Sequence, residues 1–227
     1  MILGGAVATL AVAILLTGVG AAAAVGLLAS WLTDLPSVSD PSAFAVAQTT
    51  KIYSADGKLL ANLFLENRQV VPLKEISPYL QHAVVSVEDE RFYIHHGYDT
   101  VGIIRAAFTN LAAGGVQEGA STITQQIVRN TVLSSERTEI SYKRKVREAY
   151  LASQLEKVMS KDQILSMYLN TVYYGEGAYG AESAALTFFS KHAKDLTVAE
   201  AALLAGLPQQ PSRLSPYENL EGAIARR

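Results

Sequence analysis

The sequence predicts a mostly α-helical domain behind an N-terminal membrane anchor, with one small β-hairpin between them. Three observations carry this reading. From Ser77 onward apolar residues recur at helical spacing behind N-cap signatures, the clear hairpin signal is a single Asp-Gly turn, and Met1 to Leu32 contains no charged residue. At 227 residues and 49% apolar content the chain can fill one sizeable core.

The anchor comes first. About 20 apolar residues suffice to cross a bilayer as a helix. A cleaved signal peptide has an apolar region of only about 7–15 residues, and a buried core helix is rarely apolar on every side. Residues 1–32 therefore read as a transmembrane anchor. Gly18, Ala22, Gly26 and Ser30 form a small-residue stripe, either a surface for another membrane helix or the mark of an Ala/Gly-rich span. No Lys or Arg precedes the span, so charge does not set its orientation.

Residues 33–50, with Pro36 and Pro41, read as an extended connector, and residues 51–227 as the folded domain. In the hairpin, Lys51-Ile52-Tyr53 and Leu59 to Phe64 flank Ser54-Ala55-Asp56-Gly57, where Asp-Gly supplies the positive φ angles of a tight turn. Next, Ser77-Pro78 opens a helix on which Leu80, Val84 and Glu88 share a face. Glu88 begins EDERFYIHHG, where three acids crowd the helix C-terminus. Carboxylates there oppose the macrodipole by about 0.3–1 kcal/mol each, and a desolvated one costs more unless paired. Either the placement serves chemistry, or it is a surface cluster paired with Arg91 and His95.

The helix from Asp99 to Ala113 puts Val101, Ile104, Phe108 and Leu111 on one face, by default a core face. Gly114 to Gly119 and Gly175 to Gly180 are loops able to approach a ligand. Between them, Gly119 to Gln126 packs hydroxyl and amide groups that suit either capping or ligand hydrogen bonding. A further helix opens near Arg144 and runs to about Met159. Its Glu148 shares a stripe with Leu151, Ala152 and Leu155, with Arg144 and Lys145 in reach to pair with it. The plain alternative is a surface ion pair worth a few tenths of a kcal/mol. Arg129, Arg137, Arg144, Lys145 and Arg147 make a basic cluster that suits a phosphate, a solvated face or an acidic neighbour. Ser160 to Gln163 and Thr197 to Glu200 match capping boxes, and Glu221 to Ala225 reads as a last helix without a terminator, as if the chain were cut.

Composition removes several function classes. No cysteine means no thiol catalysis and no thiolate metal site, and a net charge of −2 gives no support for nucleic-acid binding. The four histidines lack HExxH spacing, and no SxxK with a later KTG marks an acyl-serine transpeptidase.

EDERFYIHHG, GASTITQQ, RKVRE and KDQILSMYLN (Lys161 to Asn170), in this order, resemble the peptidoglycan glycosyltransferase family, found as the polymerase module of class A penicillin-binding proteins and as monofunctional enzymes. The resemblance runs from about Gln48 through Tyr173-Tyr174-Gly175 and Ala201 to Pro211, ending at Arg226-Arg227. It implies a lysozyme-like fold with a membrane-proximal apolar lobe around the Asp99 to Ala113 helix. It also implies polymerisation of lipid II onto a lipid-linked glycan, with inversion to a β-1,4 bond and release of undecaprenyl diphosphate.

By the same resemblance Glu88 is the general base. Glu148 orients the cations or helps to hold a divalent ion such as Mg or Mn, with no cofactor obligatory. Arg129, Arg137, Arg144 and Lys145 meet the diphosphate. Asp89, Phe92 and His95 shape the Glu88 turn and substrate site, Ser121, Thr122, Gln125 and Gln126 contact donor or acceptor, and Asn170 closes the cleft wall. Many relatives carry Lys where Arg129 stands, and a few extra residues separate Arg137 from Glu148. The expected setting is the bacterial cell membrane, single-pass with the domain outside, among other cell-wall synthesis proteins. The competing readings are a lysozyme-like glycan-cleaving enzyme and an inactive membrane scaffold fragment.

Overall fold

The computed structural model describes residues 22–39, 41–115 and 119–227. The expected span falls mostly outside these residues. Of it, residues 22–31 are helical (α1), and among the described residues no helix is long and apolar enough to cross a membrane. After α1 come β1 (Thr50–Tyr53), β2 (Leu59–Leu63), β3 (Asn67–Arg68), α2 (Pro78–Glu88), α3 (Thr100–Ala113), α4 (Ile123–Asn130), α5 (Tyr142–Val158) and α6 (Lys161–Thr171). β4 (Tyr173–Gly175), β5 (Ala178–Tyr179), α7 (Ala181–Phe189), α8 (Val198–Gly206) and α9 (Leu220–Arg226) follow, with short 3-10 turns between several elements. The domain is mostly helical, as its periodicity implies.

The hairpin forms where expected, with β1 antiparallel to β2 and an irregularity between Ile52 and Tyr53. Its turn is looser than the Asp-Gly signature implies. Only Gly57 takes a positive φ, 82°, and the Ser54 N–H donates to the Lys58 carbonyl at 2.8 Å. A second sheet has the order β3-β5-β4, parallel then antiparallel.

The core is built by α4, α5 and α6, joined by α2 packed on α8. Ile123 and Ile127 of α4, Leu151 and Leu155 of α5, and Leu165 and Leu169 of α6 are all buried. Burying each such side chain contributes about 1.5–3 kcal/mol, more than the roughly 1 kcal/mol of a typical cap. Leu80 and Val84 fix the inward face of α2, which is also the face of Glu88. Both expected capping boxes are present, Ser160 with Gln163 and Thr197 with Glu200. At α2 the proline holds N1 as expected, but the Ser77 hydroxyl donates to the Leu196 carbonyl at 3.1 Å instead of capping its own helix.

One expectation is corrected. The apolar stripe on α3 is not core: Phe108 is 71% and Leu111 81% exposed, and the helix buries Gly102 and Ala106 instead. Periodicity identifies a face, but the small residues decide which side can lie close to the domain.

Candidate active site

The site begins at the end of α2. Asp89 closes the helix with φ −161°, leaving Glu88 as the last helical residue, partly buried beside a cleft of about 460 Å³. Gln126 Nε2 donates to Glu88 Oε2 at 2.7 Å, and the Tyr168 hydroxyl donates to Gln126 Oε1 at 3.3 Å, which fixes the direction of that amide. Burial pushes the Glu88 carboxyl above the usual carboxylate range. The Gln126 hydrogen bond and the Arg226 and Arg129 guanidiniums pull it part of the way back, and Asp89 adds to the rise. The buried phenols of Tyr168 and Tyr174 are raised first by desolvation and then by the Glu88 charge, so both stay neutral.

The segment Ser121 to Gln126 forms the opposite wall. Thr122 caps α4, with its hydroxyl accepting from Gln125 N–H and the Gln125 side chain accepting from Thr122 N–H, a third capping box. Thr122 also donates to the Gly97 carbonyl at 2.7 Å, tying α4 to the loop after Glu88. In that loop His95 Nε2 lies 2.9 Å from both Asp89 oxygens, and Asp89 accepts from Ile123 N–H at 3.0 Å.

Behind this wall, Glu148 is fully buried on α5. Arg144 Nη1 donates to one of its oxygens at 2.9 Å and Lys145 Nζ to the other at 3.0 Å, while Lys145 also donates to Ser121 Oγ at 2.8 Å. Lys145 thereby reaches the cleft rim, because Ser121 lines the cleft. Both Glu148 oxygens are committed to cations, and among the described residues no three His, Cys, Asp or Glu side chains gather as a metal-ligand group.

Of the residues expected at the site, Glu88, Asp89, Ser121, Thr122, Gln126 and Arg129 line one cleft. Others stand apart. Phe92, His95 and Gln125 are buried in the packing that supports the cleft. Asn170 Oδ1 accepts from Val71 N–H and its amide donates to Val71 and Ser166 carbonyls, stitching α6 to the chain before α2. Arg137 lines a second cavity of about 260 Å³, with Arg68, Tyr173 and Tyr179.

Arg91, Arg105, Gln209 and Arg226 line the cleft without having been singled out as site residues. Arg91 lies in the EDER run, and Arg226 in the arginine pair ending the resemblance, so both carried some signal. Arg226 passes over Gly206, where a Cβ would stand 3.0 Å from its Cγ. The contribution of Arg105 from α3 and Gln209 from the loop after α8 depends on folding alone.

Comparisons with known proteins show which sequences this chain resembles. The family model described as Transglycosylase matches residues 56–227. Penicillin-binding protein 1A of Rickettsia bellii (strain RML369-C) is 42% identical over 197 residues, 86% of this chain and 24% of that protein. Penicillin-binding protein 2D of Bacillus subtilis (strain 168) is 50% identical over 175 residues, 77% of this chain and 25% of that protein. Penicillin-binding protein 1A of Escherichia coli (strain K12) is 43% identical over 208 residues, 92% of this chain and 24% of that protein. The chain thus spans about a quarter of the length of these curated relatives. A crystal structure of penicillin-binding protein 1A from Haemophilus influenzae overlaps at a TM-score of 0.40 and 24% identity, covering 80% of this chain and 17% of that one.

Proposed function

The chain belongs to the transglycosylase family, and from that premise we propose that it is a peptidoglycan glycosyltransferase that polymerises lipid II into β-1,4 glycan strands. The observation that carries the reading is one cleft holding a carboxylate of raised pKa together with the guanidiniums of Arg129 and Arg226. A base and a set of cations are what this reaction requires.

Glu88 takes the proton from the acceptor sugar hydroxyl as that oxygen attacks the anomeric carbon of the lipid-linked donor strand. The new glycosidic bond forms opposite the diphosphate, the bond to the diphosphate breaks, and the configuration inverts. Charge then grows on the leaving undecaprenyl diphosphate, where preorganised cations act most strongly. Arg129, Arg226 and Lys145 are assigned to it, while Arg144 supports them from behind the wall and Arg137, in the second cavity, is left out of this step. Glu148 serves by holding Arg144 and Lys145 in place. Ser121, Thr122 and Gln126 orient the sugars; Asp89, Phe92, His95, Gln125 and Asn170 hold the walls.

A lysozyme-like fold, a single N-terminal span in residues 1–32 and a catalytic domain outside the bacterial membrane belong to the same proposal, with cell-wall synthesis proteins as partners. A glycan-cleaving enzyme would act on a polymer with no diphosphate leaving group, for which the arginine lining has no evident use. Incubation with lipid II in detergent and, separately, with purified glycan strands distinguishes the two. Polymer from lipid II and intact strands are expected; cleavage of the strands without polymer would overturn the proposal.

A further inference from the structure

The face of α4 turned away from Glu88 is gripped by a buried ionic cluster centred on Glu156, a residue outside the four site motifs. Thr124 and Gln126 are two positions apart on α4, so their side chains leave the helix on nearly opposite sides. Gln126 holds Glu88. Thr124 donates to Glu156 Oε1 at 2.6 Å. Glu156 sits on α5, the helix that carries Lys145 and Glu148, and its side chain is 3% exposed.

The same carboxylate also reaches α6 and the loop after Glu88. Its Oε2 lies 2.7 Å from Lys161 Nζ at the first residue of α6, and that ammonium stands 4.5 Å over the ring of Phe92, in the loop after Glu88. Its Oε1 lies 3.9 Å from His95 Nδ1, and His95 holds Asp89 through its other nitrogen. A buried charge of this kind is costly unless paired, and here its partners are drawn from α4, α6 and the loop after α2.

We propose that Glu156 is a positioning residue for the Glu88–Gln126 pair, setting the distance between α4 and the end of α2 through Thr124, Lys161 and the His95–Asp89 link. The proposal rests on the reading of Glu88 as the base. Removing the carboxylate leaves the Thr124 hydroxyl without its acceptor and frees α4 to shift, and a shift of about 1 Å at a reacting group can cost on the order of a hundredfold in rate.

The test measures initial rates of lipid II polymerisation by the full chain, normalised to folded protein by circular dichroism, for wild type, Glu88→Gln, Glu156→Ala, Glu156→Gln and Thr124→Val. Glu156→Ala is expected to lower kcat by about tenfold or more with KM for lipid II within about twofold, the pattern of a lost transition-state geometry. Glu156→Gln, which keeps an acceptor for Thr124, is expected to recover most of kcat. Thr124→Val, which buries no unpaired charge, is expected to lower kcat in the same sense and decides the matter if Glu156→Ala does not fold. Wild-type kcat per folded molecule in Glu156→Ala or Thr124→Val would overturn the positioning role, as would a rise in KM alone. A wild-type chain that makes no polymer, or an active Glu88→Gln, overturns the reading of Glu88 and this proposal with it.

Discussion

Replacing Glu148 by Ala separates the structural work of this carboxylate from any direct part in chemistry. Its side chain is fully buried, and its partner Arg144 is 10% exposed at 2.9 Å, whereas Lys145 is 43% exposed at 3.0 Å. Breaking a buried pair by removing one partner costs about 3–5 kcal/mol, because the other charge stays buried without compensation. The Lys145 pair is half in water and adds at most about 1 kcal/mol. Against a typical stability of about 5–15 kcal/mol this is a large fraction. For a chain of this size it corresponds to a fall in Tm of about 6–20 °C. Thermal unfolding followed by circular dichroism measures it. Removing both charges in Glu148→Leu/Arg144→Met should return much of the stability, since apolar side chains of similar size pack there without desolvation, while polymerisation stays low because Glu148 no longer helps to hold Lys145 toward Ser121. A loss below about 1 kcal/mol in the single variant, or a double variant no more stable than the single, would refute the reasoning.

Three further outcomes follow from the geometry. Burial raises the folded-state pKa of Glu88 above its unfolded value, so the folded protein holds that proton more tightly and stability falls as pH rises from the unfolded pKa through the folded one. Glu88→Gln should therefore be at least as stable as wild type near neutral pH, with a flatter acid-side profile; melting curves across that range check this. Gly97 has φ 94° and a Cβ there would stand 2.5 Å from Ser153 N and 2.6 Å from the Ala152 carbonyl carbon, so Gly97→Ala should cost at least about 2 kcal/mol by urea unfolding. Arg147 is buried and donates to the Trp31 carbonyl at 3.0 Å and Asp34 at 2.8 Å, with Glu136 at 3.1 Å, so it docks the end of α1 on α5. Arg147→Ala should lower stability by about 1–2 kcal/mol, discounted because Asp34 is exposed, and should speed proteolysis in the connector 33–49.

What the sequence made legible was local or periodic. Capping boxes at Ser160 and Thr197 close within one turn, and Leu80 and Val84 point the way inward for Glu88 by spacing alone. Glu148 also showed itself, since its apolar stripe and two nearby cations are set by one helix. Other features depend on segments far apart in the chain. The Thr122 box was hidden because hydroxyl and amide groups that cap a helix are the same groups that would bind a sugar. The outward face of α3 carries a core pattern, and only Gly102 and Ala106 reveal which side packs. Gln125 and Asn170 look like ligand residues and are spent on backbone groups. Arg105 and Gln209 reach the cleft, and Glu156 meets Thr124, by tertiary packing that no window of sequence contains.

The central claim is that Glu88 acts as the base in a lipid II polymerase. The most direct measurement is kcat for lipid II polymerisation as a function of pH, for wild type and Glu88→Gln. The wild-type rate should rise with pH through a single ionisation above the usual carboxylate range, following the raised Glu88 pKa. Glu88→Gln should lose about a hundredfold or more while keeping its fold. A glutamine variant within about tenfold of wild type, with the same pH dependence, would contradict the account.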